Sequence, residues 1–273
     1  MLKVSQNGEK MHPKVGVSTS SFYPLHTEEA LSRLGRAGVR RTELFFNAAC
    51  ELEEPFVEGL RETALRYGVE VVSVHPFTSG FEPFLLFSGY ERRFEDGRRF
   101  YERYFRAARR LGAPLLVLHG DRRDSPLPEE EYFRRFGVLS DDARCWGVTL
   151  AQENVPRCRC REPEFVKRMS RALGEKAAFV LDLKQALRAG TDAFSMAEAM
   201  GDRLVHIHVS DCGPMGDCLA PGAGCFDFVR LQEQVCRFGY CGSWIIELYR
   251  ESYGGEEELF QSLSFLRRQL SEK

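Results

Sequence analysis

Four consecutive short stretches of this chain end in a side chain of metal-ligand type: TLAQE at Glu153, FVLD at Asp182, VHIH at His208 and WIIE at Glu247. Each is apolar and β-rich, and each runs into loop or helix sequence. They are part of a longer alternation. Strand-like segments are read at 15–18, 42–46, 70–75, 115–119, 149–153, 179–182, 205–209 and 244–248. Helical patterns fill the gaps at 28–37, 55–67, 96–111, 129–146, 162–173, 193–200, 226–238 and 256–270. Such alternation specifies βαβ units and a parallel sheet. Eight units in about 260 residues is the arithmetic of a single closed α/β barrel, the (β/α)8 TIM barrel. An open doubly wound sheet would carry a glycine-rich phosphate loop after its first strand. Here that strand runs into Ser18-Thr19-Ser20-Ser21.

Composition narrows the function classes. The 273 residues are 43% hydrophobic and carry a formal net charge of −2, so no bulk attraction to nucleic acid or an anionic membrane is expected. No run of 18 apolar residues is present to cross a bilayer. The N-terminus, MLKVSQNGEKMHPK, lacks the apolar core of a signal peptide and reads as a frayed leader over 1–13, with one barrel domain over 14–273. Nine cysteines, an odd number without paired CxxC spacing, read as reduced thiols of a cytoplasmic protein. The Cys158/Cys160 pair and the Cys212, Cys218 and Cys225 cluster read as incidental thiols rather than a further metal site.

Strand parity places the chemistry. In parallel barrels the functional face lies at the C-terminal strand ends. Successive side chains alternate between faces, so His206 and His208 share one, with His206 a layer deeper. The same parity sets Ala151 under Glu153, Ser73 under His75, Val117 under His119 and Ile245 under Glu247. Strands two, three and four place Glu43, His75 and His119 on the wall opposite the four tips. Three carboxylates and one imidazole suit one divalent ion, Mn²⁺, Mg²⁺, Co²⁺ or Zn²⁺, without choosing among them.

Several motifs sharpen this picture: Gln152-Glu153-Asn154, Asp182, His206-Ile207-His208-Val209-Ser210-Asp211, Pro221-Gly222-Ala223-Gly224 and Ile246-Glu247-Leu248. With them the chain, over 14–270, resembles the xylose isomerase-like barrels. This is the sugar phosphate isomerase/epimerase superfamily (AP endonuclease family 2), which also contains endonuclease IV. The resemblance implies that Glu153, Asp182, His208 and Glu247 are metal ligands, with Glu153 and Glu247 also acting on the substrate proton. It implies that His75 and His119 bind substrate oxygens. The departures are specific. Asp182-Leu183-Lys184-Gln185 stands where many members have Asp-x-x-His. The Asp-x-His that endonuclease IV uses after strand seven is absent, although His75 and His119 match its other zinc positions. Pro214 and Arg159 stand where the ketose 3-epimerase branch has an arginine and an acid.

The expected function is proton transfer on a small sugar, inosose or related polyol-ketone through an enediolate. Alternatives are a dehydratase or lyase on the same platform (inosose or dehydroshikimate type), an endonuclease IV-like nuclease, and a non-catalytic sugar-binding protein. Glu43, His75, His119, Lys184 and Gln185 are expected to meet substrate. For Lys184 the plainer alternative is a solvated lysine at a helix start. His206 and Asp211 are expected to support the ligands from behind. The helix around Arg92–Arg110 carries eight arginines and reads as a solvated face, with Arg98 or Arg99 placed to reach the pocket rim. The aromatic stretch 76–90 reads as a lid, a contact between copies in a homo-oligomer, or core packing. Trp146 and Trp244 read as structural.

Overall fold

In the computed structural model, which describes residues 14–271, the first strand β1 (Lys14–Ser18) pairs in parallel with the last, β10 (Ser243–Ile246), and so closes a ring. Between them come β2 (Arg41–Phe45), β3 (Glu70–His75), β4 (Leu115–Leu118), β5 (Thr149–Glu153), β6 (Phe179–Asp182) and β7 (Leu204–Val209). The closed order is β1-β10-β7-β6-β5-β4-β3-β2, the (β/α)8 barrel that the alternation predicted. The frayed leader expected at 1–13 lies outside the described residues. A two-stranded antiparallel hairpin, β8 (Asp211–Gly213) with β9 (Gly216–Leu219), rises after β7 and was not foreseen.

The helices are α1 (Thr27–Arg36), α2 (Glu54–Tyr67), α3 (Glu82–Leu85), α4 (Glu91–Leu111), α5 (Glu129–Cys145), α6 (Pro163–Leu173), α7 (Leu183–Arg188), α8 (Ala193–Met200), α9 (Phe228–Arg237) and α10 (Glu256–Ser271). The helix α4 shows why they form a ring. Phe94, Gly97, Tyr101, Tyr104, Phe105 and Ala108 recur at helical spacing and are buried, which makes one apolar stripe against the sheet. Burying one such large side chain contributes about 1.5–3 kcal/mol. The opposite face keeps its arginines in ion pairs: Arg103 with Glu53, Arg106 with Glu102, Arg110 with Glu58. It is the solvated face expected. Gly68 and Gly112 end α2 and α4 in the left-handed conformation, at φ 62° and 74°.

Two cores result. The larger fills the layer between strands and helices. The smaller, inside the barrel, is Val117, Ala151, Ala178 and Val180. Short side chains suffice there because facing strands converge. Val117 and Ala151 are the residues that parity had set beneath His119 and Glu153.

Candidate active site at the C-terminal mouth of the barrel

Backbone pairing delivers the four strand-tip residues to one place. Asp182 and His208 are register partners between β6 and β7. Asn154, just past β5, donates from its side chain to Asp182 O (3.0 Å) and accepts from Asp182 N (2.7 Å), tying the ends of β5 and β6 together. Glu247 lies one residue beyond β10, where its amide donates to Val209 O at 3.0 Å. One ligand-type atom from each of Glu153, Asp182, His208 and Glu247 lies within 4.8 Å of the others.

The imidazole of His208 is held from both sides. Its Nδ1 faces Glu153 Oε1 (3.4 Å), Glu247 Oε2 (3.5 Å) and Asp182 Oδ2 (3.8 Å). Its Nε2 lies 3.0 Å from Glu43 Oε2. Glu43 is therefore not on the pocket wall. It is fully buried beneath His208, where it accepts from Ser18 Oγ (3.2 Å) and Ser73 Oγ (2.8 Å). The pocket-level residue of β2 is Phe45, the register partner of His75, whose ring it stacks on at 4.7 Å. Glu43, two residues earlier on the same face, drops one layer. His206 shares that layer, 3.2 Å from Ser73 Oγ and 3.5 Å from Glu43 Oε2.

His75 and His119 form the opposite wall. Their Nε2 atoms are 3.1 Å apart, and His119 Nε2 lies 2.7 Å from Glu153 Oε2. Arg157, exposed on the loop after β5, donates to His119 Nδ1 at 2.9 Å. A guanidinium can only donate, so Nδ1 accepts and the neutral ring carries its proton on Nε2, which His75 Nε2 accepts at 3.1 Å. Burial lowers the His119 pKa and favours that neutral ring. The only mark of Arg157 in the sequence is its place four residues past a strand-tip acid.

Lys184 is the largest departure from expectation. It is not solvated but 3% exposed, turned in over the strand-tip acids. Its Nζ donates to Asp182 Oδ2 and, at 2.5 Å, to Glu247 Oε2. The reason is local. The helix α7 starts directly after Asp182, whose Oδ1 caps it by accepting from Gln185 N at 2.9 Å. That turn folds Lys184 back over the strand end. Gln185 sits partly exposed beside it.

The remaining expected contributors are placed around the site. Asp211 accepts from the amides of Cys212, Gly222, Gly224 and Phe226 at 2.8–3.1 Å, and so shapes the loop after β7 rather than touching the cluster. Arg98 and Arg99 do not reach the mouth. The helix α4 begins at Glu91, earlier than predicted, which carries them two turns in: Arg98 pairs with Asp142 on α5 and Arg99 with Asp96. The stretch 76–90 packs down through Leu86 and Phe87, while Phe81 and Phe84 stay exposed. It is anchored by Glu82, whose carboxylate accepts from Tyr101 Oη (2.7 Å) and Gly120 N (2.5 Å). All nine cysteines are free, and burial pushes the Cys158 thiol up to about 12.

The surrounding charges keep the two glutamates ionised. Burial alone would raise Glu153, but the imidazoles of His119, His208 and His75 hold it well below the usual carboxylate range. Glu247 is likewise held low against burial, by Lys184 and His208. Both stay ionised near neutral pH. Three carboxylate oxygens and one oriented imidazole nitrogen within coordination reach form a donor set that fits a divalent cation.

Known proteins resemble the chain along nearly its whole length. A protein of Mycobacterium bovis described as uncharacterized is 29% identical over 287 residues, covering 94% of this chain and 98% of its own. Among solved structures, a D-tagatose 3-epimerase-like protein superposes with a TM-score of 0.78 at 20% identity, covering 94% of this chain and 97% of that one. A xylose isomerase-like TIM barrel protein from Mycobacterium smegmatis, in complex with magnesium, gives 0.74 at 14% identity, covering 94% and 96%. The family model described as xylose isomerase-like TIM barrel matches residues 30–269. With that match over most of the closed barrel, the chain belongs to the xylose isomerase-like TIM barrel family.

Proposed function

We propose that this protein is a divalent-metal-dependent isomerase or epimerase of a small sugar, inosose or related hydroxy-ketone, working by proton transfer through an enediolate. The observation that carries the reading is the convergence of Glu153, Asp182, His208 and Glu247 within 4.8 Å, with Glu43 behind His208. The fold shared with the D-tagatose 3-epimerase-like protein supports the same class of chemistry. A cation bound by these four residues would offset the negative charge that builds on the substrate oxygens as the proton leaves.

The chain's own groups do the rest. Glu153 and Glu247 are ionised carboxylates at 3.4 and 3.5 Å from His208 Nδ1, so one can take a carbon-bound proton and the other return it. His119 offers an Nε2–H donor beside Glu153, positioned to bind a substrate oxygen on the same side. His75 Nδ1 lies 3.3 Å from Pro76 O; donating there leaves Nε2 to accept from His119, which holds the two rings together on one wall. Phe45 supplies an apolar patch for the sugar's C–H face.

A dehydratase would begin with the same proton removal. The test is therefore two-part: incubate ketoses and inososes with the protein and Mn²⁺ in deuterated solvent, then follow carbon-bound deuterium and product identity by NMR. Deuterium incorporation with an isomerised or epimerised product is the expected result. Loss of water from the product would replace the reading by the dehydratase one. No exchange with any substrate would sink both.

A further inference from the structure

Lys184 places a positive charge where the family's cation would sit. It is the only buried lysine among the described residues. Its two acceptors are Asp182 Oδ2 and Glu247 Oε2, the same two oxygens that face His208 Nδ1 at 3.8 and 3.5 Å. A divalent ion sits about 2.0–2.2 Å from its oxygen ligands. An ion sharing those oxygens with the ammonium would lie within about 4 Å of it, where like charges repel strongly inside a protein.

We propose that the Lys184 ammonium and the divalent ion are alternative occupants of one position, so that metal binding requires Lys184 to leave. This rests on the reading of the cluster as a cation site. Lys184 acts as a tethered competitor. It neutralises Asp182 and Glu247 when the ion is absent and weakens the ion's apparent affinity by the work of displacing it. The exit is toward the mouth, where the Tyr249 ring lies 5.9 Å from Nζ and its hydroxyl accepts from Arg188 at 2.8 Å. The consequence is a barrel that stays folded without metal and loads only when divalent ion is abundant.

The test is calorimetric titration of Mn²⁺ into chelator-treated protein, comparing wild type with Lys184→Met, which keeps length and removes charge. The expected result is at least tenfold tighter binding in K184M, with a lower melting temperature for its metal-free form than for metal-free wild type. A second measurement needs no variant. Wild-type protein is treated with an amine-acetylating reagent, and modification at Lys184 is quantified by mass spectrometry. Lys184 should be protected without metal and become several-fold more reactive at saturating Mn²⁺. Equal or weaker Mn²⁺ binding in K184M, or unchanged labelling with Mn²⁺ bound, overturns the competition and leaves the cation site standing. No Mn²⁺ binding by either protein overturns both.

Discussion

His208 Nε2 lies 3.0 Å from Glu43 Oε2, on the side of the ring away from the other three cluster residues. A carboxylate behind a histidine fixes which nitrogen is protonated and aims the other. Here it leaves Nδ1 as the atom offered to the site. Glu43→Gln keeps the shape and removes the charge. Divalent-ion affinity should fall about 10–100-fold, the range for such supporting partners, while circular dichroism stays native. Mn²⁺ titration of the variant measures it, and unchanged affinity would show that Glu43 does not orient the ring.

Glu153 touches both walls of the pocket, through His208 and His119. Glu153→Gln should lower solvent-proton exchange into substrate by about 10²–10⁴-fold, the usual contribution of a positioned acid–base group. The melting transition should remain cooperative. Exchange at the wild-type rate would remove Glu153 from the proton-transfer role.

Glu82 gives a pH dependence with a definite sign. Burial raises its pKa from 4.5 to about 8, against the hydrogen bonds from Tyr101 and Gly120. A carboxyl raised in the folded state binds its proton more tightly there than in the unfolded chain. Its contribution therefore favours folding most at or below 4.5 and is lost as pH climbs to about 8, at about 1.4 kcal/mol per pH unit for one proton. Denaturant melts from pH 5 to 8 should show this decline. Glu82→Gln should flatten it, and an identical slope in the variant would refute the assignment.

Gly120 carries φ +79°, and a Cβ there would lie 2.6 Å from Tyr132 Oη and 2.7 Å from Gln152 Oε1. Gly120→Ala should destabilise the fold by about 1–3 kcal/mol. Because His119 is the preceding residue, substrate KM should rise as well. Chemical denaturation and steady-state kinetics on one preparation test both effects.

The parts of this protein legible in its sequence are those that depend on short-range periodicity. The alternation marked eight units, and strand parity set Ala151 beneath Glu153 and His206 beneath His208. The four tips followed, because each is the last inward residue of its own strand or the next one along. Depth along the barrel axis was decided elsewhere. It depends on the stagger between neighbouring strands, a property of the closed ring. Glu43 illustrates this: the register between β2 and β3 shifts at Thr42/Glu43 and pairs Phe45 with His75, so Glu43 falls one layer below the pocket. Lys184 illustrates a second limit. Whether a lysine two residues past a ligand points to water or into the site depends on where the next helix begins. Here the capping bond from Gln185 N to Asp182 starts it at once. Arg157 reached His119 because the loop after β5 pairs with the one after β4, Arg122 bridging to Cys158. Local pattern determined which residues this chain offers to the site. The closed barrel decided which of them meet, because only closure sets the distances between residues far apart in sequence.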